Sequence, residues 1–168
     1  NIRGALPGAP QHRVSGSAFV ENPLPHVACH VVRTVRADPE AEGVDRLGGA
    51  IHERWGKLDI LVGNAGLLGV LTPVGHIEPK EWEQVLTINV TANYRLIRSL
   101  DPLLRRSDAG RAIFVTSGAA DKCRPFWGIY SATKAALNAL VKTWAHENEK
   151  TAMRINLVSP GPVATAMR

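Results

Sequence analysis

The order of segments along this chain predicts an α/β fold, a parallel β-sheet covered by helices. Two observations carry that expectation. From about residue 42 onward the chain alternates helix, strand, helix, strand, helix, strand, the pattern of parallel strands joined by helical crossovers. The strand-like segments are short and mostly apolar, LDILV at 58–62, RAIFVT at 111–116 and RINLV at 154–158, as strands buried in a parallel sheet should be.

The elements follow in order. Val44, Leu47, Ile51 and Trp55 recur at helical spacing and stop at Gly56, a residue suited to a helix C-cap. The run at 58–62 is the first strand, and a glycine-rich loop follows it to about Pro79. The next helix is expected over 79–99 with Trp82, Val85, Leu86 and Val90 turned inward, continuing toward Leu104 unless Pro102 kinks it. Strand 111–116 comes next, then a long helix over 128–148 with Ala, Leu, Val and Trp on its packing side, then strand 154–158. Right-handed crossovers leave the C-terminal ends of all three strands on one edge, and ligands of such sheets bind at that edge. The residues just past each strand therefore matter most: Asn64-Ala65-Gly66, Ser117, and Pro160-Gly161.

Residues 1–40 read differently. They hold five of the eleven prolines, three of the six histidines and no lysine. Neither sheet nor helix periodicity persists there, apart from a short apolar stretch at Val27–Val32 that reads as a strand. The expected organisation is an atypical, irregular or disordered segment at 1–40 and one folded domain at 41–168.

Composition narrows the function. At 168 residues, 45% hydrophobic and 21% charged, the chain suits a single globular domain. The net charge is +5, yet no basic run exceeds the pair Arg105-Arg106, so a nucleic-acid surface is not expected. Cys29 and Cys123 lack metal or disulfide-framework spacing, so no metal is expected. No apolar stretch reaches membrane-spanning length and the first residues lack the order of a signal peptide. A cytoplasmic protein without membrane contact is expected.

Tyr130 and Lys134 are four residues apart on a predicted helix, which places both on one face. An ammonium beside a phenol favours the phenolate and lowers its pKa from about 10. Such a tyrosine trades protons with an alcohol near neutral pH. Ser117 ends the preceding strand thirteen residues earlier, where its hydroxyl can hold the substrate oxygen. A Tyr-x-x-x-Lys pair alone is common on surface helices.

The pair has company. Tyr130-Ser131-Ala132-Thr133-Lys134 with Ser117 upstream, LDILVGNAG at 58–66, Thr87-Ile88-Asn89-Val90, and SPGPVAT at 159–165 stand in order. Together they resemble the motifs of the short-chain dehydrogenase/reductase family, over about residues 42–168. The resemblance implies a Rossmann-like doubly wound parallel sheet and an NAD(P)-dependent oxidoreductase that interconverts an alcohol and a carbonyl by hydride transfer. It makes Tyr130 the acid/base, Lys134 the residue that lowers its pKa and reaches the nicotinamide ribose, and Ser117 the substrate-orienting hydroxyl. It has Asn89 interrupt its helix and hold a proton-relaying water. Asn64, Ala65 and Gly66 are then expected along the adenosine side of NAD or NADP, and Pro160, Gly161, Val163 and Thr165 at its carboxamide end. Gly66 also reads as a plain turn glycine, and Asp38 stands where the family often contacts adenine. Phe126 and Trp127 read either as an aromatic wall of the substrate pocket or as ordinary packing, and Cys123 as a small hydrophobe. The family packs its equivalents of the helices at 79–99 and 128–148 against a partner, so a homodimer or homotetramer is implied.

The family's glycine-rich phosphate loop is not found in residues 1–40: Gly4 and Gly8 have the spacing, but Pro7 and Pro10 interrupt it. The sheet is accordingly expected to be partial, lacking its first βαβ unit and its C-terminal end, and dinucleotide binding by this polypeptide is expected to be weak. The alternative function is a non-catalytic truncated relative that acts at most as an oligomerisation partner.

Overall fold

The computed structural model describes residues 41–161. Helix α1 (Ala41–Trp55) presents Val44, Leu47, Ile51 and Trp55 to the core. It stops at Gly56, whose φ of +71° and N–H bond to the His52 carbonyl at 2.9 Å make a left-handed cap that only glycine adopts without steric cost. Strands β1 (Ile60–Gly63), β2 (Arg111–Val115) and β3 (Arg154–Val158) form one sheet in the order β1-β2-β3. All pairings are parallel: Ile60 stands opposite Arg111, and Arg111 opposite Arg154. The α/β parallel architecture is as the sequence predicts. Strand β1 begins at Ile60 rather than Leu58; Leu58 is buried instead and its N–H bonds to the Leu103 carbonyl at 3.1 Å.

The helical stretch between β1 and β2 is not uniform. It comprises α2 (Pro79–Leu86), a π-helical turn (Thr87–Thr91) and α3 (Ala92–Leu104). Pro102 lies inside α3 without ending it, although it forfeits the bond that an N–H there would make to the carbonyl four residues earlier. Trp82 departs from expectation: it is 40% exposed, while Val85 is buried and Leu86 and Val90 are half-buried. Trp82 and Val85 lie three residues apart on the same side of the π turn, so the difference arises within α2 itself: this short helix buries Val85 and leaves Trp82 outside the contact.

Helix α5 (Gly128–Glu147) carries Ile129, Leu137, Val141 and Trp144 into the core. A four-residue helix, α4 (Ala119–Lys122), lies between β2 and α5; it is too short to impose a period on the sequence. Because the strand order advances in one direction, right-handed crossovers put α2–α3 and α5 on the same sheet face. Ala112 and Phe114 are buried there, against Leu61, Leu100, Leu104, Leu137 and Trp144 in one cluster. The Phe114 and Trp144 rings meet edge to face at 6.2 Å. Residues 1–40, including Val27–Val32 and Asp38, lie outside the described residues, as do Val163 and Thr165. Among the described residues no helix is long and apolar enough to cross a membrane.

The tightest point of the core is Gly63, opposite Phe114 in the β-ladder. A Cβ added there would lie 2.3 Å from Phe114 Cδ1 and 2.9 Å from Asn93 Oδ1. Gly63→Ala is therefore expected to destabilise the fold by about 1–3 kcal/mol through overpacking. Combined with Phe114→Leu, it should cost less than the sum of the two single changes, because the smaller side chain vacates the contact. Urea melts of the four proteins measure this; strict additivity would show that the two positions do not meet.

Candidate active site

Three of the expected residues meet at the C-terminal edge of the sheet. The last carbonyls of parallel strands point out of the ladder there. Lys134 uses one: its Nζ donates to the Val115 carbonyl, at the end of β2, at 2.9 Å. The side chain crosses from α5 to reach it and is only 3% exposed. Burial pushes the Lys134 ammonium down from 10.5 to about 8, because a low-dielectric surround disfavours the charged form. Tyr130 lies one helical turn earlier, half-buried, with its ring centroid 5.7 Å from Lys134 Nζ. Helical spacing alone sets this adjacency. Trp127 packs edge-on to the Tyr130 ring at 6.0 Å.

Gly66 is the third. A Cβ placed on it would lie 3.4 Å from Lys134 Nζ and 3.8 Å from Asn89 Oδ1. The bare backbone thus lies in front of the lysine as a shallow cradle, in which a Cβ would make ordinary van der Waals contact. Gly66 follows β1 by three residues, with Asn64 exposed and Ala65 half-buried beside it.

Asn89 is fully buried in the π turn. Its Oδ1 accepts from the Leu67 N–H at 2.7 Å, and its Nδ2 donates to the Leu67 carbonyl at 2.8 Å. The amide thereby pairs with the peptide of Leu67 as a neighbouring strand would. The second Nδ2 hydrogen goes to Thr133 Oγ1 at 2.9 Å. The Asn89 carbonyl oxygen accepts from Asn93 Nδ2 at 2.8 Å. Asn93 and Thr133 are buried members of this network that the sequence reading passed over. Thr133 lies inside the quoted Tyr-x-x-x-Lys motif, and Asn93 repeats Asn89 four residues on, so that spacing was the available signal.

Ser117 is half-buried two residues beyond β2, where its Oγ accepts from the Ala119 N–H at 3.2 Å and its carbonyl from the Ala120 N–H at 3.1 Å. These bonds nucleate α4 and hold Ser117 on the same edge as Lys134. Thr116 Oγ1 donates to Asn138 Oδ1 at 2.6 Å, fastening this strand end to α5. Pro160 and Gly161 follow β3 on that edge, both exposed, with Gly161 at φ +75°. Cys123 differs from expectation: it is exposed and left-handed, at φ 42°, because it terminates α4 instead of filling a core. Phe126 is exposed at φ 71°, and its carbonyl accepts from the Thr72 N–H at 3.2 Å, joining the loops after β1 and β2. Among the described residues no group of three or more His, Cys, Asp or Glu is placed to hold a metal ion.

Comparison with known proteins agrees with the α/β fold. Residues 27–168 match the model of the short chain dehydrogenase family, a span that begins upstream of the quoted motifs. The chain is similar to the uncharacterized oxidoreductase YciK of Escherichia coli K12, at 33% identity over 158 residues, 88% of this chain and 62% of that protein. It is similar to an uncharacterized NAD-dependent oxidoreductase of Mycobacterium tuberculosis, at 36% identity over 68% of this chain and 42% of that protein. Among solved structures it resembles a short chain dehydrogenase from Shigella flexneri complexed with NADP, with a TM-score of 0.73 and 36% identity over 77% of this chain and 54% of that one. The chain thus spans less than two thirds of the relatives it matches.

The buried ammonium makes a stability prediction. Between about pH 8 and 10.5 the unfolded chain still holds the Lys134 proton while the folded chain has released it. Stability should therefore rise with pH through that window. Below about pH 8 the full penalty remains, roughly 3 kcal/mol at about 1.4 kcal/mol per pKa unit. Lys134→Met should stabilise the fold at pH 7 by up to that amount and flatten the rise. Urea melts at pH 7 and pH 10 for both proteins check the sign; a variant less stable at pH 7 would show that the Val115 bond outweighs the burial cost.

Proposed function

The chain belongs to the short-chain dehydrogenase/reductase family, and on that premise we propose that it interconverts an alcohol and a carbonyl by hydride transfer to or from NAD or NADP. The observation that carries the proposal is the buried Lys134 ammonium, held 5.7 Å from the Tyr130 ring and in front of the uncovered Gly66 backbone. A buried cation beside a phenol, facing a cradle that a Cβ would fill, suits a ribose hydroxyl pair and a proton-transfer step; it is costly as a structural device.

In carbonyl reduction Tyr130 gives its phenolic proton to the carbonyl oxygen, and in alcohol oxidation it takes the hydroxyl proton. The Ser117 hydroxyl donates a hydrogen bond to the same oxygen and fixes its direction. Lys134 supports the phenolate by its charge and offers its remaining N–H donors to the ribose. Asn64, Ala65 and Gly66 border the adenosine side, while Pro160 and Gly161, with Val163 and Thr165 beyond them, border the carboxamide end. Asn89 anchors a water for proton relay: its carbonyl oxygen, engaged by Asn93, retains a second lone pair. The dinucleotide supplies the hydride chemistry when bound. A similar Shigella flexneri structure complexed with NADP and a similar NAD-dependent oxidoreductase of Mycobacterium tuberculosis support this cofactor class. The proposal includes a homodimer or homotetramer packed through α2–α3 and α5, and supporting that, Trp82 and Tyr94 on the first pair are exposed aromatics.

The test is fluorescence titration with NADH and NADPH, followed by cofactor oxidation with a panel of ketones and aldehydes. Tyr130→Phe should lower turnover by about two to four orders of magnitude, the usual worth of a general acid, with melting unchanged. Turnover within threefold of wild type would remove Tyr130 from the chemistry. A separate expectation concerns pH. Lys134 carries its charge below about pH 8, so the rate of reduction should fall as pH rises through that value. A rate flat from pH 6 to pH 10 would show that the lysine charge takes no part.

A further inference from the structure

Thr133 stands between Tyr130 and Lys134 and is 1% exposed. Its hydroxyl has one hydrogen, and the Tyr130 carbonyl accepts it at 2.9 Å. Towards Asn89 it can act only as acceptor, which it does at 2.9 Å. This fixes the Asn89 amide: Nδ2 must face Thr133, so Oδ1 must face the Leu67 N–H, as observed at 2.7 Å. Leu67 directly follows Gly66, and Gly66 directly faces Lys134 Nζ. One chain of bonds thus runs from the Tyr130 carbonyl through Thr133 and Asn89 to the loop at Leu67.

We propose that Thr133 is a positioning residue whose hydroxyl, acting through Asn89, sets the distance between the 64–67 loop and the Tyr130–Lys134 turn. The inference rests on the proposed function for its consequence, because that loop and that turn there grip the two sides of one dinucleotide. It does not rest on it for the geometry. Valine has the shape of threonine without the hydroxyl. Thr133→Val leaves one Asn89 N–H without an acceptor in a buried site, and the amide can relieve this only by turning away from Leu67. Thr133→Ser keeps the oxygen that accepts.

The experiment measures two quantities in the whole chain for wild type, Thr133→Val and Thr133→Ser: the hydrogen-exchange rate of the Leu67 amide, and the dissociation constant of NADPH. The Leu67 amide should exchange about two- to tenfold faster in the valine variant, the loss of one net hydrogen bond. NADPH binding should weaken by about the same factor, and serine should restore both. Unchanged Leu67 exchange in Thr133→Val would overturn the proposal. So would loss of the fold in Thr133→Val with Thr133→Ser folded, which would make the hydroxyl a requirement of folding and not of position. If the wild-type chain binds neither NADPH nor NADH, the proposed function fails for this polypeptide, and Leu67 exchange with its rescue by serine still decides the role of Thr133.

Discussion

The site depends on where a parallel sheet leaves its carbonyls unpaired. Inside a β-ladder the strand carbonyls accept from neighbouring strands, and a lysine amine reaching the middle of the sheet would compete with those bonds. At the C-terminal edge the Val115 carbonyl is available, and Lys134 takes it. That bond partly compensates an ammonium that is otherwise expensive to bury. It also fixes the rotation of α5 about its own axis, since a side chain from one helical position must reach one strand end. Once that rotation is set, Tyr130 must lie one turn toward the helix N-terminus on the same face, and Thr133 must face the π turn. Leu137, Val141 and Trp144 continue into the core beneath.

The π turn answers a second demand. An asparagine side chain buried in a regular helix has only the surfaces between neighbouring helices to point into, and its amide needs three partners. The wider turn at Thr87–Thr91 lets the Asn89 amide pair with the Leu67 peptide while its own carbonyl takes the Asn93 amide. The loop after β1 therefore has a side chain as its neighbour where a strand would otherwise be. This gives irregular backbone next to the lysine the satisfied hydrogen bonds that buried backbone requires.

Much of this was legible in the sequence, for physical reasons that differ by residue. Helix α1, the three strands and α5 are read from periodicity and apolar runs, because burial on one face imposes a period on side chains. The Tyr130–Lys134 adjacency follows from helix geometry alone. The π turn was not legible from periodicity: its five residues TINVT carry no composition that distinguishes them from α-helix, and only the family resemblance placed an interruption at Asn89. Thr133 and Asn93 were missed because their partners lie 44 residues away in one case and on a helix's own backbone in the other. The Thr133 bond appears only once the elements are docked, whereas the Asn93 bond is local and depends on which rotamer the side chain takes. The short α4 and the exposure of Cys123 belong to the same class, since capping geometry decides them and periodicity does not.

The same cluster explains why the core is packed so closely just beneath it. The Lys134 ammonium is buried at a cost, and Asn93 Oδ1 and Ser131 Oγ are buried with no hydrogen-bond partner among the described residues. Each unsatisfied group costs about 1–3 kcal/mol. A domain of this size has a stability of only about 5–15 kcal/mol, so these groups would consume much of it unless apolar packing nearby were efficient. Phe114 is the connection. It is fully buried, its ring meets Trp144 of α5 edge to face, and it leaves no room for a Cβ at Gly63. Gly63 ends β1 just before the loop that meets Lys134. The strand that presents the polar network is thus pressed against the ring that supports α5. The polar edge and the dense apolar centre are two ends of one packing arrangement: loosening the centre would let α5 rotate and draw Lys134 away from the Val115 carbonyl.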